Sequence, residues 1–175
     1  MRISAGFLLG LAMMLLLMPL QWLVACIAAA AFHEVCHCVA IRFLSGKATK
    51  VKLLSYAAQL PLPVMGTGRE AICALAGPVG GLLLLFFAKW MPRLSVCAAV
   101  QSIYNLLPIY PLDGGRALRC GLSLLLPPKP AKRIAYGMEA VCIIGLLAFA
   151  VYACIWLKMG LFPLLIALLL LIRIK

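Results

Sequence analysis

Only two histidines occur in the chain, and they stand four residues apart in the stretch FHEVCH, as His33 and His37, with Glu34 beside the first. On a helix, residues i and i+4 share one face, so both imidazoles can grip one ion. A carboxylate next to the first ligand is placed to take a proton from water at that ion, the arrangement of helical metallopeptidase motifs. Imidazole nitrogens suit zinc, and a catalytic zinc keeps one position for water. Zinc then needs a third protein ligand, which must be a carboxylate or a cysteine. The acidic residues are Glu34, Glu70, Asp113 and Glu139. Asp113 leads, because it stands in a proline- and glycine-rich stretch that lets backbone and ligand approach. Glu70 reads as the acid of a helix N-terminus, stabilised by free N–H groups. Glu139 follows a basic stretch and is expected to pair with Lys132 or Arg133. Cys36 is the rival ligand, although it points about 100° away from His37 on an ideal helix. A heme, a proton relay and a polar packing contact compete for the two histidines.

The elements that must position these residues are membrane helices. Hydrophobic residues make up 66% of the chain and charged residues 11%, whereas a soluble domain is about a quarter charged. Lipid is therefore the solvent for most of the chain. Two imidazoles and a carboxylate in that solvent are costly unless they bind or relay something. The apolar runs predict helices over residues 3–18, 21–44, 70–89, 94–107, 134–157 and 160–172. The first resembles a signal peptide, but no small-residue cleavage site follows it, so it is read as a retained span. Pro19 closes it. Residues 45–69 are interrupted by Pro61 and Pro63 and read as a cytoplasmic-side surface loop with short extended, β-like segments. Gly77, Pro78, Gly80 and Gly81 permit close helix approach. The fourth helix is broken over residues 108–116, at Pro108, Pro111, Gly114 and Gly115, and resumes over 117–126. Broken backbone at membrane depth is tolerated inside protein or beside a polar cavity. The stretch PPKPAKR reads as a loop. The expected fold is an all-α polytopic membrane protein, a single domain over residues 1–175, with about six transmembrane helices and a broken fourth.

The net charge of +12 does not point to nucleic acid, because the basic residues sit between apolar runs instead of lining one face. They read as topology signals. With six spans and both termini cytoplasmic, every lysine and arginine falls on the cytoplasmic side except Lys89, Arg93 and Lys158, a strong positive-inside bias. His37 shortly precedes Arg42 and Asp113 shortly precedes Arg116, so both halves of the site fall at similar depth. The eight cysteines are scattered among the apolar runs without zinc-ribbon spacing and read mainly as small buried hydrophobes.

FHEVCH followed by NLLPIYPLDGGR (residues 105–116) resembles the site-2 protease family of intramembrane zinc metalloproteases. The resemblance is to its compact branch, without PDZ or CBS domains, which includes a sporulation factor that cleaves a pro-sigma factor. It implies one zinc per chain held by His33, His37 and Asp113, with Glu34 as general base and Asn105 holding substrate or the developing oxyanion. Gly77 and Pro78, in LAGPVGG, match a packing motif of the third helix, where Gly81 stands in place of a frequent asparagine. Residues 47–65 resemble the region that presents substrate as an added strand. The implied substrates are transmembrane or juxtamembrane segments of membrane proteins, such as a membrane-tethered transcription factor or pro-sigma factor. The implied setting is a bacterial inner membrane, with room for a regulatory membrane partner. Two other classes stand beside the protease: a zinc transporter, which would present carboxylates along a path through several spans, and a non-catalytic metal-binding scaffold.

Overall fold

The computed structural model describes residues 19–45, 52–54, 57–59 and 66–156. The chain divides into two compact units, Met1–Asn105 and Leu106–Lys175.

In the first unit, helix α1 (Leu20–Ser45) is followed by a small antiparallel hairpin. Its strands are β1 (Lys52–Leu54) and β2 (Ala57–Gln59), with Leu53 opposite Ala58. Helix α2 (Thr67–Leu83) runs on through a 3-10 turn, Leu84–Phe87, and helix α3 (Pro92–Asn105) closes the unit. All three helices pack on one another. The buried face of α1 is a stripe with i+4 spacing: Ala29, His33, His37 and Ile41. Val24, Ile27, Val35, Val39 and Phe43 of the same helix point outward. An apolar exterior is what hydrocarbon solvent favours, and it leaves the interior for small and polar residues. Ile41 packs against Cys73 of α2, with Cys38, Ala40 and Leu44 around them. Arg69 donates to the Leu44 carbonyl at 3.3 Å near the end of α1, where helix carbonyls lack intrahelical donors. The buried hydroxyl of Ser95 does the same for Leu84 at 2.7 Å, tying the start of α3 to the end of α2.

In the second unit, a loop over residues 106–112 leads into α4 (Asp113–Leu125), which packs on α5 (Pro128–Ile155). Ile109 and Leu112 are buried, and the Leu112 amide donates to the Ile109 carbonyl at 2.8 Å. The Tyr110–Pro111 peptide is cis. The loop folds back on the first turn of α4. A Cβ on Gly114 would strike the Leu106 carbonyl, and one on Gly115 would strike the backbone of Ile109.

The expected count of about six spans is corrected. Among the described residues three helices are long and apolar enough to cross a membrane: Leu20–Leu44, Thr67–Phe87 and Pro128–Ile155. They make the chain an integral membrane protein. The predicted first and sixth helices lie outside the described residues, as does most of the 45–69 segment. The predicted fourth span is two short helices of 14 and 13 residues, each below the ~20 that hydrocarbon thickness asks for. Prolines 108 and 111 cannot donate to a helical ladder, so the chain leaves the helix at Asn105. It re-enters at Asp113, not at Ala117, because the two glycines are helical residues lying under the loop instead of a flexible joint. The PPKPAKR stretch is also helical from its second proline onward. Pro128 is the first residue of α5, where the missing N–H costs nothing.

Candidate metal centre

His33 and His37 lie in the middle of α1 on its buried stripe, at 4% and 7% exposure. Their rings meet edge to face with centroids 4.7 Å apart. Nδ1 of His37 is 2.7 Å from the carbonyl oxygen of Cys73. A carbonyl can only accept, so that nitrogen carries the proton and Nε2 presents a lone pair. A backbone carbonyl fixing one ring nitrogen while the other stays basic is the usual support of a metal-bound imidazole. The Nε2 atoms of the two rings are 3.1 Å apart. Two nitrogens at 2.0–2.1 Å from a tetrahedral zinc would be separated by about 3.3 Å, so the pair needs little adjustment to share an ion.

Gly77 of α2 makes room for this pair. A Cβ there would strike Nε2 and Cε1 of His37 and Cε1 of His33. The packing motif in the third predicted helix thus has a local cause: the two rings occupy the space a side chain would take.

Asp113 opens α4 and is half-buried. One ligand atom from each of His33, His37 and Asp113 can be chosen so that all lie within 4.8 Å of one another. Two imidazoles and a carboxylate are a donor set that zinc takes in hydrolytic sites, where three protein ligands leave a position open. The rival ligands lie elsewhere. Cys36 packs against α2, where a Cβ on Gly80 would meet its sulfur. Glu70 is in the first turn of α2. Glu34 is half-buried on α1 and Asn105 is the half-buried last residue of α3.

Glu139 corrects an expectation. Its partner is Arg119 of α4, not Lys132 or Arg133. Nε and Nη2 of Arg119 donate to its Oε1 at 3.0 and 2.7 Å, and the backbone N–H of Tyr110 reaches the same oxygen at 3.3 Å. The guanidinium also lies over the Tyr110 ring, 4.2 Å from its centroid, and 5.2 Å from that of Tyr136. A carboxylate at 6% exposure thereby joins α4, α5 and the loop that ends at Asp113. Reading the sequence missed this group. Its only trace there was an acid near the start of an apolar run.

No protein-family model matches the chain, and no curated protein matches it. Among solved structures it is similar to the site-2 protease from Methanocaldococcus jannaschii, with a TM-score of 0.65 and 21% identity. The match covers 94% of this chain and 82% of that one. At that identity the likeness is one of fold: the chain has the architecture of a site-2 protease over most of its length.

Proposed function

We propose that this chain is an intramembrane zinc metalloprotease of the site-2 protease type, cutting peptide bonds in the transmembrane or juxtamembrane segments of membrane proteins. The observation that carries this reading is the His33, His37 and Asp113 cluster in a chain with three membrane-length helices. The site-2 protease fold supports it. His33, His37 and Asp113 hold the metal. Zinc, when bound, supplies polarisation of the scissile carbonyl and a water of lowered pKa. Cys73 and Gly77 keep the two imidazoles in place. Glu34 takes a proton from water and returns it to the leaving amine nitrogen. Asn105 donates its side-chain amide to the oxygen on which charge develops. A substrate helix has its backbone bonds satisfied, so it must unwind before it can be cut. Segments carrying Gly, Pro or Asn near the cleavage point are therefore favoured.

The surplus of lysine and arginine over the pair Lys89 and Arg93 supports an orientation in a bacterial inner membrane that puts the Arg42 end of α1 toward the cytoplasm. In that setting a membrane-tethered transcription factor or a pro-sigma factor is a substrate of fitting kind, and a membrane partner that regulates the enzyme is compatible with it.

The test is metal content together with cleavage. Glu34→Gln should keep zinc at wild-type stoichiometry by plasma mass spectrometry while cutting of co-expressed single-span membrane proteins falls at least 100-fold, within the range of about 10²–10⁴ for a lost general base. The inactive variant should also retain its substrates for identification by mass spectrometry. Asp113→Asn should lower zinc content. Full cleavage by the Glu34 variant removes that residue from the base role, and unchanged zinc in the Asp113 variant reassigns the third ligand.

A further inference from the structure

Outside the metal centre, two thiols from different helices touch. Sγ of Cys26 in α1 lies 3.3 Å from Sγ of Cys97 in α3, across 71 residues of sequence, and both residues are half-buried. A disulfide has its sulfurs about 2.05 Å apart, so the two must come only about 1.2 Å closer to bond. The pair occupies a defined place. Cys26 precedes His33 by two helical turns on the same face of α1, and Cys97 lies in the second turn of α3, the helix that ends at Asn105. Cys36 and Cys73 are engaged elsewhere, against Gly80 and Ile41. A groove of about 320 Å³ opens between α1 and the turn before α3, lined by Ala25 next to Cys26 in the chain and by Trp90, Arg93 and Leu94 ahead of Cys97. The charge pattern puts that side away from the reducing cytoplasm, which is where protein disulfides persist.

We propose that Cys26 and Cys97 are a redox-active thiol pair, a modification site oxidised to an intramolecular disulfide by a membrane-soluble two-electron hydrogen acceptor of the quinone or azodicarboxamide class. Two S–H bonds break and one S–S bond forms. Two protons and two electrons pass to the acceptor, giving the hydroquinone or the hydrazine. A dithiol reductant reverses the step by thiol–disulfide exchange. The bond joins the helix carrying both imidazoles to the helix carrying Asn105, so it fixes α1 against α3. The pair itself does not depend on proteolysis or on the metal.

The full chain in native membranes is treated with an azodicarboxamide, remaining thiols are alkylated, and the protein is digested at leucine and aromatic residues without reductant. The expected product is a peptide pair linked through Cys26 and Cys97 in at least half of the chains, released by dithiothreitol. Cys26→Ser and Cys97→Ser should each abolish the linkage and leave the other thiol alkylated, and Cys36→Ser should leave it intact. Alkylation of both Cys26 and Cys97 in the treated wild-type chain would overturn the proposal. So would linkage of either one to a different cysteine. None of these readouts uses activity, so the proposal can fail while the protease reading stands, and the reverse.

Discussion

Gly77 is where the chemistry and the packing of this protein meet in one residue. The imidazoles of His33 and His37 fill the space its side chain would need, so any larger residue must move a ring or the helix that carries it. Gly77→Ala is expected to lower zinc affinity by about 10–100-fold, the usual cost of disturbing the support of a metal ligand. Gly145→Ala, where a Cβ meets open space, should leave zinc binding unchanged, and titration of both variants with zinc checks the contrast. Glu139 supplies a second test at this scale. Its carboxylate is buried and held by Arg119 and the Tyr110 amide. Glu139→Leu removes the buried partner of a pair whose arginine side chain is 34% exposed, and should cost about 1–3 kcal/mol. Adding Arg119→Leu should recover most of that loss, because the double variant leaves no unpaired charge. Unfolding curves in one detergent decide it. His33, His37 and Asp113, whose ligand atoms the fold brings together, were legible in the sequence because rare polar residues in an apolar chain stand out. Arg119 was not, because its pairing with Glu139 is made by the packing of α4 on α5 and has no local spacing.

Among the described elements, the sequence expectation lies closest to the structure where a long apolar run sets the helix. The second predicted helix, over residues 21–44, is α1 at Leu20–Ser45. Sequence and structure differ where a proline or glycine reads as a breaker without regard to its position. Pro128 starts a helix instead of preventing one, since the first turn has no use for its amide. Gly114 and Gly115 sit inside α4, small because the 106–112 loop lies across them. The break before Asp113 is thus a packed element. This has a testable consequence: Gly114→Ala pushes a methyl onto the Leu106 carbonyl, which must lift the loop from the helix. The variant is expected to bind less zinc and to be cut faster by added protease between Asn105 and Asp113. Gly121→Ala in the same helix meets nothing and should match the wild type in both measurements. Equal behaviour of the two variants would show that the loop tolerates the methyl.

For the whole molecule the governing quantity is the distribution of charge along an apolar chain. Lysines and arginines favour the cytoplasmic side when they flank spans, and here that preference constrains the orientation through few residues. Lys89 and Arg93 flank the turn between the 3-10 segment and α3. Arg42 lies in the last turn of α1, and Arg116 and Arg119 lie in α4. If the first set faces away from the cytoplasm, the carboxyl-terminal part of α1, with His37 just before Arg42, lies toward the cytoplasmic side. A protease-cleavable tag inserted between Lys89 and Arg93 should then be cut in spheroplasts by a protease added outside. The same tag placed just after Ser45 should be cut only after lysis. Replacing Arg42, Lys47, Lys50 and Lys52 with glutamine while adding three lysines beside Arg93 removes the bias across α2, and a fraction of chains should then expose the second tag outside. Protection of the first tag in intact spheroplasts would invert the orientation and move access to the metal ligands to the opposite membrane face.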